Sequence, residues 1–124
     1  MNFLDANIIA YSFYQNENQE KCQNVLIQGG IIDTLVLIEA FNIIEHETNR
    51  DNAIVSIRGI LKSDIRVIDA DLGIIFECLK KASSLKKLKF LDLVHYTVAK
   101  IMLCESIVSY DRDFNGLDIP RIEA

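Results

Sequence analysis

Four carboxylates stand where a folding chain can gather them: Asp5, Glu39, Asp92 and Asp111. Asp5 follows a short apolar start, Phe3-Leu4, and precedes Ala6-Asn7. Asp111 directly follows Ile107–Tyr110, and Asp92 opens a segment with helical spacing of apolar residues. Glu39 interrupts a greasy run, with Leu35–Ile38 on one side and Ala40–Phe41 on the other. Each aspartate has a plain structural use when taken alone. Asp5 can cap a turn, Asp92 can cap a helix, and Asp111 can bond the backbone of the Asp-Arg-Asp loop. Glu39 differs, because a carboxylate buried in an apolar helix is costly unless a cation meets it. No lysine or arginine lies within a turn of it, and only Asn42 and His46 continue its polar stripe.

The chemistry lies in the set. Four carboxylates from four separate segments would repel one another and raise their own pKa values unless a divalent cation neutralised them. An all-oxygen set without a histidine cluster suits Mg²⁺ or Mn²⁺ and argues against zinc. Hard cations held by a few carboxylates are the usual apparatus of phosphodiester chemistry.

The surrounding pattern predicts how such residues are positioned. Short apolar runs at Asn2–Leu4, Gly30–Asp33, Ile65–Asp69, Ser106–Tyr110 and Ile119–Ile122 read as buried strands. Helical segments lie between them: Asn18–Gln28, stopped by Gly29-Gly30; Thr34–Asn49, apolar enough to be largely buried; and Asn52–Lys62. A further helix is capped by Asp71 with Leu72, Ile75, Phe76 and Leu79 as its core stripe, and the last runs from about Asp92 to Cys104 on Val94, Val98 and Ile101. The alternation predicts an α/β sandwich with a mostly parallel sheet of about five strands, one domain filling residues 1–124. In such sheets, functional groups collect at the carboxyl ends of the strands.

Composition narrows the setting. The chain has 124 residues, half of them apolar, and one proline, which excludes a disordered tail. Thirteen Lys+Arg against eighteen Asp+Glu leave a net charge of −5, so charge alone would not hold a polyanion. No secretory signal opens the sequence, and Ile31–Ile44 is too short and too interrupted to span a bilayer. Cys22, Cys78 and Cys104 form no Cys-x-x-Cys pair and read as free thiols of a cytoplasmic protein.

Four blocks in order make the chain resemble the PIN-domain family, in particular the small ribonucleases that form the toxin half of VapBC-like toxin–antitoxin modules. They are Phe3-Leu4-Asp5-Ala6-Asn7-Ile8-Ile9, Leu37-Ile38-Glu39, Leu91-Asp92-Leu93-Val94-His95-Tyr96-Thr97-Val98-Ala99, and Ile107-Val108-Ser109-Tyr110-Asp111-Arg112-Asp113-Phe114. The resemblance implies an endoribonuclease in which Asp5, Glu39, Asp92 and Asp111 hold Mg²⁺ or Mn²⁺ and a metal-activated water attacks the phosphorus. Asp113 is a further ligand or a loop anchor, and Asn7 and Ser109 orient the ligating carboxylates or bind a metal-held water. The resemblance also implies a homodimer restrained by a small antitoxin protein, while the hydropathy pattern itself leads to the expectation of no membrane partner.

Other features carry less. Arg112 and His95 are candidate substrate contacts. His95, on the same side of its helix as Asp92, could also act as a general acid or base, and the preferred reading is that it packs or hydrogen-bonds beside the site. Lys80, Lys81, Lys86, Lys87 and Lys89 form the only basic concentration, readable as an approach surface for RNA or as a solvated helix end. Two competing readings are a PIN-like module that binds RNA or scaffolds without cleaving, and a phospho-accepting receiver domain using Asp69. The receiver lacks an acidic neighbour for Asp5 and offers Arg121 where it wants a lysine.

Overall fold

The computed structural model describes residues 1–124. Five short strands form one sheet: β1 (Phe3–Leu4), β2 (Ile31–Asp33), β3 (Arg66–Ile68), β4 (Ile107–Val108) and β5 (Arg121–Ile122). Their order is β3-β2-β1-β4-β5, and every pairing is parallel. Six helices flank the sheet: α1 (Ala6–Tyr11), α2 (Gln19–Gln28), α3 (Thr34–Glu47), α4 (Arg50–Leu61), α5 (Leu72–Ala82) and α6 (Phe90–Ile101), with a 3₁₀ turn at Arg112–Phe114. The α/β sandwich read from the sequence is what the chain forms.

The central strand is apolar on both faces because both are covered: Phe3 and Leu4 are fully buried. Phe3 pairs with Ile31 on one side and Ile107 on the other, and the backbone of Asp5 still bonds the Val108 carbonyl at 3.0 Å. The chain winds outward from β1 to β2 and β3, then returns to the far side of β1 as β4. The strand order therefore reverses between β1 and β4, where such sheets open a crevice at their carboxyl edge.

Two glycines make the entry to β2 possible. Gly29 closes α2 at φ +87°, a conformation that disfavours any side chain. At Gly30 a Cβ would sit 2.8 Å from the Leu4 Cγ and 2.9 Å from the Asn2 carbonyl, so β1 and β2 approach closely there.

The helices depart from expectation in instructive ways. The short helix α1 is not legible as amphipathic because Ile8, Ile9 and Ala10 are all buried, leaving no polar face to reveal its period. Helix α3 is less buried than its composition suggests: Val36, Ala40 and Ile44 face the core while Ile38 is exposed. In α5 only Ile75 of the expected stripe packs against the core. Leu72, Phe76 and Leu79 point outward at 57–77% exposure, and Ile74 with Cys78 forms the buried face. Both faces of α5 are apolar, so spacing alone could not choose between them. Its partner decides, for the Cys78 Sγ lies 3.3 Å from the Thr97 Oγ1 of α6. Helix α6 buries every residue from Leu93 to Ala99, whereas Ile101 escapes the stripe and is exposed. All three cysteines are free and buried, and no helix is long and apolar enough to cross a membrane.

The crowding at Gly30 gives a paired test. Gly30→Ala destabilises the protein by about 1–3 kcal/mol, since a backbone carbonyl cannot move aside cheaply. Gly59→Ala, in open space on α4, stabilises it by about 0.5–1 kcal/mol through helix propensity. Urea melts of the two variants should shift in opposite directions; shifts of the same sign contradict the close approach.

Candidate metal centre

Asp5 leaves β1 and caps α1, accepting the Ala6 N–H on Oδ1 at 2.8 Å. Its other oxygen accepts the Ser109 hydroxyl at 2.6 Å and the Asn7 amide at 3.3 Å. Ser109 in turn accepts the Asp111 N–H at 2.9 Å, and Asn7 accepts the Tyr110 N–H at 3.4 Å. One hydroxyl and one amide thus tie the end of β1 to the end of β4 across the crevice. Burial pushes the Asp5 carboxyl above its ordinary range, against the pull of Ser109, His95 and the Ala6 N–H.

Asp92 stands in the first turn of α6 rather than at its cap, which is Lys89. Asp111 caps the 3₁₀ turn by accepting the Asp113 N–H at 2.9 Å. One carboxylate oxygen each from Asp92, Asp111 and Asp113 lie within 4.8 Å of one another. Burial, then the nearby charges of Asp5, Asp111 and Glu39, push the Asp92 carboxyl up to about 6, with only His95 pulling it down.

Glu39 has the cation that the sequence did not show. His95, three residues beyond Asp92 on the same helix, lies between two carboxylates. Its Nε2 is 2.5 Å from Glu39 Oε1 and its Nδ1 2.6 Å from Asp33 Oδ2. The imidazole and Asp33 are 0% exposed and the Glu39 side chain 30%, so Glu39 is neither deeply buried nor alone. Burial opposes charge on the ring, but the hydrogen bonds and attraction of the two carboxylates outweigh it and raise its pKa to about 10. With no exposed atom and both nitrogens engaged, His95 is not placed to touch a substrate, and what it does make is the hydrogen bonds to Asp33 and Glu39.

Asp33 is the residue the sequence reading passed over. It ends β2 at the carboxyl edge, the same criterion that selected Asp5, and that signal was present. It also caps α3, accepting the Val36 N–H on Oδ1 at 3.0 Å.

The expected four-acid set is therefore brought to one edge, with a narrower centre. Asp92, Asp111 and Asp113 form the tight group, while Asp5 and Glu39 flank it within electrostatic reach and keep oxygens engaged elsewhere. Arg112 is exposed between Asp111 and Asp113. The lysines divide: Lys80 pairs with Glu77 on α5 at 3.0 Å, whereas Lys87 reaches the Asn115 carbonyl and holds the Lys86–Lys89 segment beside the 3₁₀ turn. Asp69 is exposed just past β3, an edge strand two places from β1, so it cannot share a pocket with Asp5 as a receiver requires. Arg121 is bound to the Ser109 carbonyl at 2.9 Å and to Asn115 at 2.6 Å, a structural engagement.

Comparison with protein families matches residues 3–120 to the PIN domain. Among solved structures, the chain superposes on VapC20 of Mycobacterium tuberculosis, described as a toxin that cleaves the sarcin–ricin loop, with a TM-score of 0.86, 12% identity and complete coverage of both chains. No curated protein matches in sequence. At that identity the likeness concerns the fold.

Asp92 supplies a pH test on the metal-free protein. Its folded pKa lies above the unfolded value of about 4, so the folded state binds the proton more tightly and stability rises as pH falls from 7 through about 6. Discounted for the solvated part of the side chain, the charge costs about 1 kcal/mol at pH 7. Asp92→Asn therefore raises Tm at pH 7 by roughly 4 °C, and the gain vanishes by pH 4. A lowered Tm at pH 7, or a difference indifferent to pH, contradicts the charge crowding.

Proposed function

The chain belongs to the PIN domain family, and from that premise we propose that it is an endoribonuclease that hydrolyses RNA phosphodiester bonds with Mg²⁺ or Mn²⁺. The observation that carries the reading is the Asp92–Asp111–Asp113 group, whose oxygens lie within 4.8 Å of one another beside Asp5 and Glu39. So many carboxylates with one buried histidine between two of them leave an excess of negative charge. A hard divalent cation fits that excess and those donors. Asp92, Asp111 and Asp113 are its proposed ligands, with Asp5 and Glu39 completing the set.

When bound, the cation would make its coordinated water more acidic than bulk water and would offset the charge that builds on the phosphate oxygens. The protein's own groups do the positioning. Ser109 and Asn7 fix the Asp5 carboxylate, so its orientation does not depend on a ligand. Arg112 and the Lys86–Lys89 segment put positive charge beside an acidic centre, where a chain of net charge −5 otherwise repels RNA.

The toxin role is proposed on the likeness to VapC20, and the RNA target of this chain is a separate question. A homodimer and a small antitoxin partner are proposed with it. Two uncovered apolar surfaces support partners of some kind: the groove of Leu37, Ile38, Phe41 and Ile57 between α3 and α4, and the outer face of α5. Three buried free thiols accord with a cytoplasmic setting.

Incubation with a panel of structured RNAs tests the proposal. Cleavage should appear with Mg²⁺ or Mn²⁺, stop with EDTA, and fall at least roughly 100-fold in Asp92→Asn and Asp111→Asn. RNA left equally intact by the wild type and both variants, or cut equally by all three, defeats it.

A further inference from the structure

Three side chains, from the end of β2, from α3 and from α6, form a clamp that the acidic group does not explain. Asp33 uses Oδ1 to cap α3 and Oδ2 to hold the Nδ1 side of His95. His95 uses Nε2 to hold Oε1 of Glu39, which stands on α3 itself. The start of α3, the middle of α6 and the Glu39 carboxylate are thereby locked to one another. The imidazole has no freedom to turn, being fully buried with its ring 5.6 Å from that of Phe3. Glu39 is the opposite case: partly exposed, on a long flexible stem, at the edge of an apolar helix face. Left alone, such a side chain samples several rotamers and would spend binding free energy on being ordered.

We propose that His95 is a positioning residue, oriented by Asp33, that fixes the Glu39 carboxylate through Oε1 and leaves Oε2 as the oxygen Glu39 offers to a cation held at the Asp92–Asp111–Asp113 group. The arrangement follows the logic by which a buried partner fixes the orientation of a ligating side chain, whose loss typically costs 10–100-fold in metal affinity. Here the order is inverted, with the imidazole in the supporting place and a carboxylate as the ligand. Asp33 has a part in both links, since it also fixes the helix that carries Glu39.

The inference rests on the divalent-cation reading, and the test separates the two. Mn²⁺ affinity of the RNA-free protein is measured by water-proton relaxation for the wild type, His95→Leu, His95→Gln, Asp33→Asn, Glu39→Gln and Asp92→Asn. Removing the imidazole donor in His95→Leu should weaken Mn²⁺ binding by about 10–100-fold. His95→Gln, which can still donate toward Glu39, should recover most of that loss. The double variant His95→Leu/Glu39→Gln should bind no worse than Glu39→Gln alone, because His95 acts through Glu39. If His95→Leu does not fold, Asp33→Asn carries the same comparison with the imidazole retained, and should weaken binding in the same non-additive way. Asp92→Asn that binds Mn²⁺ like the wild type overturns the cation reading itself. Asp92→Asn that loses binding, beside His95→Leu or Asp33→Asn at wild-type affinity or with losses additive to Glu39→Gln, overturns the positioning role and leaves the cation reading standing.

Discussion

Mutual repulsion of carboxylates at one edge of a parallel sheet is the constraint on which the rest of this structure turns. Asp92 feels it most, held near a pKa of about 6 by burial and by Asp5, Asp111 and Glu39. Three of the carboxylates around it are individually anchored by hydrogen bonds. Asp5 has three donors, Asp111 has the Asp113 N–H, and Glu39 has His95. The anchors relieve part of the repulsion and set the geometry of what remains. The residual charge is concentrated where a small hard cation would sit.

The topology makes this economical. With the order β3-β2-β1-β4-β5, the ends of β2, β1 and β4 are neighbours, so Asp33, Asp5 and Ser109 arrive side by side. Each of the two strand-end aspartates serves twice. One oxygen of Asp5 caps α1 and the other receives Ser109; one oxygen of Asp33 caps α3 and the other faces His95. Capping and site-building are therefore not rival explanations of these residues. The cap orients the carboxylate, and the proposed site would draw on that orientation.

Much of this was legible in the sequence, for identifiable reasons. Strand ends announced themselves by apolar runs stopped at Asp or Gly, and the positions just past them are where parallel sheets gather polar groups. Asn7 and Ser109 entered as companions of the acids only through the family resemblance, and the structure hydrogen-bonds both to Asp5. What stayed hidden depended on long-range pairing. Glu39 looked unpartnered because its cation comes from 56 residues away, beyond the reach of any local pattern. Three of the four residues in the expected α5 stripe, Leu72, Phe76 and Leu79, face outward; both faces of the helix are apolar, and only contact with α6 selects Cys78 over Phe76. Helix α1 was missed for the converse reason, being too short and too uniformly buried to show a period.

The claim at the centre is that the gathered carboxylates hold a divalent cation between α6 and the end of β4. Crystals soaked in Mn²⁺, with diffraction recorded at the manganese absorption edge, address it most directly. The account predicts an anomalous peak bounded by the carboxylates of Asp92, Asp111 and Asp113, absent from crystals of Asp92→Asn soaked alike. Density at that position without an anomalous signal, or manganese bound only elsewhere on the molecule, would contradict it.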